Sequence, residues 1–89
     1  MNLKFYGTTL KTSASKLFEI LGEPSVYTVN TKQTTISWVR EFDTADVFTI
    51  FYVKYSKDFN TDEEVFWHIG GQNKLTTESA KVELLKLIK

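Results

Sequence analysis

Residues 47–55, Val47-Phe48-Thr49-Ile50-Phe51-Tyr52-Val53-Lys54-Tyr55, are apolar at both parities. In an extended segment Phe48, Ile50 and Tyr52 point to one side, and Val47, Phe51, Val53 and Tyr55 to the other. A strand with two apolar faces belongs in the middle of a sheet, covered twice. One cover is expected from the chain's own helices. The other is expected from a second subunit or a target, so a homodimer is the expected assembly. The 89 residues form one domain, 1–89, with no room for a second.

Period and punctuation place the remaining elements. Leu3-Lys4-Phe5-Tyr6 reads as a short strand that stops at Gly7. A first helix follows, with Thr12 or Ser13 as N-cap and Ala14, Leu17, Phe18 and Leu21 as its apolar stripe. Gly22 suits its C-terminal cap, and Pro24 blocks continuation. From Ser25 the period becomes two. Residues 26–29 read as a strand, Asn30-Thr31-Lys32 as a turn, and residues 33–42 as a second strand. Its even residues Thr34, Ile36, Trp38, Arg40 and Phe42 are the expected core side. Asp43-Thr44-Ala45-Asp46 supplies a turn before the central strand.

Residues 57–64 read as a solvated acidic loop, whose Asp58, Asp62, Glu63 and Glu64 do not follow a calcium-loop pattern. Residues 65–69 form the last strand, with Val65, Trp67 and Ile69 on one side and Phe66 and His68 on the other. Gly70-Gly71-Gln72-Asn73 is expected to break it. A second helix then starts at Thr76 or Thr77, with Glu78 in its first turn. Ala80, Leu84, Leu85, Leu87 and Ile88 mark its apolar side, and Lys86 and Lys89 its C-terminal end. The fold class is therefore α+β: a small antiparallel meander of three to four strands, with an N-terminal and a C-terminal helix packed on one face.

Composition narrows the chemistry. There is no cysteine, so disulfides and thiolate sites are excluded, and one histidine does not make a usual zinc site. No metal ligand set and no cofactor are expected. Eleven basic residues balance eleven acidic ones, which argues against duplex nucleic acid as partner. No apolar run approaches the roughly 20 residues that span a bilayer, and the N-terminus lacks the apolar stretch of a signal peptide. The expected compartment is the cytoplasm.

Scarce residue types gather at Trp67-His68-Ile69-Gly70-Gly71, which holds the only histidine and half of the four glycines. Adjacent glycines just before a helix can present amides to an anion; the plainer reading is a strand-ending turn. His68 can serve as an acid or base, or as a structural residue at a sheet edge. No nucleophile-elbow spacing accompanies it, and no catalytic residue is assigned. Arg40 shares a face with Trp38, and Lys54 with Tyr52. A cation beside aromatic rings can hold a nucleotide or snorkel at the core's rim. The candidate ligand-binding residues are thus Trp67, His68, Gly70, Gly71, Arg40 and Lys54.

The order Tyr6-Gly7-Thr8-Thr9-Leu10, Leu21-Gly22-Glu23-Pro24, Trp38 with Phe42, Thr49-Ile50-Phe51 with Lys54, and Trp67-His68-Ile69-Gly70-Gly71 resembles a family of small proteins encoded by tailed bacteriophages. Val53 stands where relatives carry tryptophan, and Thr44-Ala45 where they carry an Asp-Gly turn. The resemblance implies action in the cytoplasm of the bacterial host. It also implies a non-enzymatic binding protein that antagonises a host defence system, by sequestering a nucleotide-type ligand or by masking a host protein. The rival reading is a small nucleotide-processing enzyme that uses His68 as general acid or base.

Overall fold

The computed structural model describes residues 3–30, 32–41, 46–55 and 59–88. The fold is α+β, with one antiparallel sheet and two helices. In chain order the elements are β1 (Lys4–Ser13), α1 (Ala14–Leu21), β2 (Val26–Val29), β3 (Thr34–Glu41), β4 (Val47–Lys54), β5 (Glu64–Gly71) and α2 (Lys74–Ile88). The sheet has five strands in the order β1-β5-β4-β3-β2, one strand more than the expected meander. Strands β2 to β5 are that meander. The additional strand is β1, which pairs with β5 because α1 carries the chain across the sheet from one edge to the other. As its sequence required, β4 is central.

Both helices lie on the face formed by Thr34, Ile36 and Trp38 of β3, Phe48 and Ile50 of β4, and Trp67 and Ile69 of β5. Leu10, Ala14, Leu17, Ala80 and Leu84 close this core from β1 and the two helices. Trp38 and Trp67 are fully buried, with ring centroids 5.6 Å apart. The rings of Phe18 and Tyr52 pack edgewise or tilted against them. Each buried indole finds a carbonyl. Trp38 donates to Gly22 at 3.0 Å, and Trp67 to Thr12 at 2.9 Å.

Local chemistry explains the ends of α1. Ser13 is its N-cap, with the side-chain oxygen accepting from the Lys16 amide. The free amide of Ser15 donates to the carbonyl of Thr61, and its hydroxyl reaches Asp62 at 2.6 Å. The loop before β5 thus serves as part of the helix cap, beyond being a solvated acidic stretch. Gly22 (φ 79°) ends the helix and donates to Phe18.

Four expectations are corrected. β1 does not stop at Gly7: Gly7 adopts φ 88° and absorbs a bulge, where the register with β5 shifts between Phe5 and Thr8, and the strand runs on to Ser13. β5 does not stop at Ile69, because Gly70 and Gly71 stay in register with β1 and β4. α2 begins at Lys74, with Asn73 accepting from the Thr76 amide, so Thr76 and Thr77 are buried helical residues and Glu78 lies beyond the first turn. Leu85 and Leu87 are exposed, and only Ala80, Leu84 and the half-buried Ile88 of the expected stripe reach the core. Phe42, the Asp43-Thr44-Ala45 turn, Lys57, Asp58 and Lys89 lie outside the described residues.

Trp38→Ala is expected to lower unfolding free energy by about 3–5 kcal/mol, read from urea denaturation. The loss combines an unfilled volume beside Trp67 with an unpaired Gly22 carbonyl.

Candidate functional site

The six candidate residues do not converge. Trp67 is fully buried and faces the helices. His68, its neighbour, faces the opposite side of the sheet, opposite Thr9 of β1 and Phe51 of β4. Arg40 and Lys54 both lie on the helix side but at opposite ends of the β3–β4 ladder, opposite Phe48 and Thr34 respectively. No single ligand of nucleotide size contacts this set.

Arg40 and the two glycines have structural tasks. Arg40 clamps the turn after α1: Nη2 donates to the carbonyls of Leu21 (2.9 Å) and Glu23 (2.6 Å), and Nη1 to that of Val39 (2.9 Å). The guanidinium thus serves carbonyls left free at a helix C-terminus. Gly70 and Gly71 permit close approach. A β-carbon on Gly70 would sit 3.0 Å from the Lys4 carbonyl oxygen and 3.0 Å from a methyl of Thr49. One on Gly71 would sit 3.2 Å from the methyls of Thr76 and Thr77, so α2 packs down on the sheet only because that position is bare. Neither glycine has positive φ, and both are buried between two strands. Their amides therefore belong to a ladder and form no anion-binding nest.

Thr8 and Thr77 join hydroxyls at 2.8 Å where β1 meets α2. Thr77 already donates to Lys74 at 2.7 Å, which makes Thr8 the donor. Thr8 shares the helix side of β1 with the buried Leu10 and Thr12.

The geometry gathers a different set, on the sheet face that the helices leave uncovered. Cross-strand register aligns Thr9, His68, Phe51, Ser37 and Val26 in one row across all five strands. Flanking rows contribute Phe5 and Gly70 on one side, and Lys11 with Phe66 on the other. The His68 ring packs edge-on against Phe5 (centroids 4.7 Å) and tilted against Phe51 (5.3 Å). Its Nδ1 is buried without a hydrogen-bond partner. The Lys11 ammonium stands 5.7 Å from the centre of the Phe66 ring. Phe66 is 60% exposed and Phe5 47%, and Val26 and Val39 are also exposed.

Part of this face was visible in the sequence as the second apolar side of β4 and the Phe66–His68 side of β5. Phe5 was not, because only the two extra residues of the bulge bring it over Gly70 and against His68. The bare position of Gly70 makes room for the β1 backbone there.

Gly71→Ala is expected to destabilise the fold by about 1–3 kcal/mol through overpacking, with partial recovery on adding Thr77→Ser, which deletes a contacting methyl. Thermal unfolding of the single and double variants checks this; no recovery would mean the strain lies elsewhere. Arg40→Gln is expected to cost about 1.5–3 kcal/mol from its charged hydrogen bonds, measured in the same way. Comparison with known protein families, curated proteins and solved structures gives no match in any of the three.

Proposed function

We propose that this chain is a non-enzymatic binding protein that masks a bacterial host protein by docking it on the uncovered face of its sheet. In this reading it is phage-encoded, works in the host cytoplasm and antagonises a defence system. The observation that carries the docking is the aromatic row and its flanks. Phe5, Phe51, Phe66 and His68 crowd one face of a sheet whose other face carries the buried core of β3, β4 and β5. Contiguous exposed apolar surface of this kind marks interaction sites, and aromatic rings dominate binding energy at protein interfaces. The phage setting rests on the resemblance of the Trp67-His68-Ile69-Gly70-Gly71 and Gly22-Glu23-Pro24 motifs.

Masking is favoured over nucleotide sequestration on geometric grounds. A strand-lined sheet face suits a protein partner, whereas small ligands take concave sites. The cations once grouped for a phosphate, Arg40 and Lys54, lie on the far side of the sheet from the aromatic row.

The test is retention of a host protein on immobilised wild type, Phe66→Glu and Lys54→Gln. Wild type and Lys54→Gln are expected to retain the same partner. Phe66→Glu is expected to weaken retention by about tenfold or more, with an unchanged thermal midpoint because Phe66 is exposed. A small molecule released by heating, whose binding depends on Lys54 and ignores Phe66, would overturn masking in favour of sequestration.

A further inference from the structure

The two edges of the sheet are treated differently. β1 is an edge with protection: a bulge at Tyr6-Gly7, and Lys4 and Lys11 along its length. These features discourage another strand from adding there. β2, Val26–Val29, has neither bulge nor charge, and all four of its residues are exposed. Among the described residues nothing pairs with its outer side.

The hairpin sets which groups face outward. The Asn30 amide donates to the Gln33 carbonyl at 2.9 Å, so Asn30 and Gln33 are a hydrogen-bonded pair. Antiparallel alternation then turns the polar groups of Thr28, opposite Thr35, toward β3. The N–H and C=O of Tyr27 and Val29 point the other way, to the open edge. Two outward residues spaced by two form a self-complementary unit.

We infer that β2 pairs antiparallel with β2 of a second copy about a twofold axis at Thr28, joining two sheets into one of ten strands. In this register Tyr27 of each copy exchanges both backbone bonds with Val29 of the other, and Thr28 faces Thr28 as a non-hydrogen-bonded pair. The side-chain matches are good ones, aromatic on β-branched and threonine on threonine. Charge agrees with the antiparallel sense. The charged residues nearest the strand are Glu23 before it and Lys32 after it. Antiparallel pairing brings the Glu23 end of one strand to the Lys32 end of the other, whereas parallel pairing brings like ends together. Val26 and Thr28 belong to the uncovered face, opposite Ser37 and Thr35. The join therefore makes the two uncovered faces continuous, and the dimer presents its docking surface twice. Self-pairing stands independently of what docks there.

The chain has no cysteine, which permits a clean test. Non-hydrogen-bonded partners have Cα atoms about 4.5 Å apart, within disulfide range. Thr28→Cys is therefore expected to oxidise to a reducible covalent dimer, and Val26→Cys is not, since the twofold separates its two copies by four residues of strand. Sedimentation velocity should show wild type at twice the chain mass at hundreds of micromolar. Thr28→Lys, which sets two ammonium groups face to face, should raise the dimer dissociation constant by about tenfold or more with its fold intact by circular dichroism. Phe66→Glu should remain dimeric. A monomeric wild type that fails to cross-link through Thr28→Cys overturns the proposal. So does a dimer that Thr28→Lys leaves intact, or one that Phe66→Glu dissociates, which would place the contact on the aromatic face.

Discussion

Two buried tryptophans hold this small fold together. Trp38 on β3 and Trp67 on β5 meet over the central strand, where Ile50 and Tyr52 lie between them. Rings of this size bury the area that a short chain needs, but each brings an N–H that must be satisfied inside the core. The solution ties distant segments together. Trp38 donates to the residue that ends α1, and Trp67 to a carbonyl near the end of β1. Apolar packing and backbone satisfaction are thus achieved by the same two side chains, which fix the end of α1 and the end of β1.

The sheet is strongly one-sided as a result. Its helix face is filled by the tryptophans, Ile36, Ile50, Ile69 and the two helices. Its other face keeps three phenylalanines and a histidine that neither helix covers among the described residues. The glycine pair belongs to the first face as much as to the second. Gly71 admits α2 to the core, and Gly70 admits β1 beside the aromatic row. The glycine pair, a candidate for presenting amides to an anion, is a packing device that brings the elements on either side close to β5.

Much of the fold was legible because its causes are local. Alternation in β3 and β5 told which residues face the core, and Thr34, Ile36, Trp38, Trp67 and Ile69 are buried accordingly. Ser13 and Gly22 bounded α1 through hydroxyl capping and positive φ, both properties of single residues. The site was less legible. Arg40 beside an aromatic ring has the same pattern whether it awaits a phosphate or caps a helix, and only the positions of the Leu21 and Glu23 carbonyls separate the two. Glycines at the end of a strand look alike whether they turn the chain or carry it on between neighbours.

The sequence by itself determined the α+β class, the centrality of β4 and the inward and outward sides of the middle strands, because residue period and capping chemistry act over a few residues. Only the tertiary structure decided that β1 crosses over to pair with β5, that the strand continues through Gly70 and Gly71, and that Phe5 joins Phe51 and His68 on the uncovered face. Those outcomes depend on which segments meet across more than 60 positions of chain, Phe5 with Gly70 among them. A pattern read along the sequence carries no information about that meeting until the strands are placed side by side.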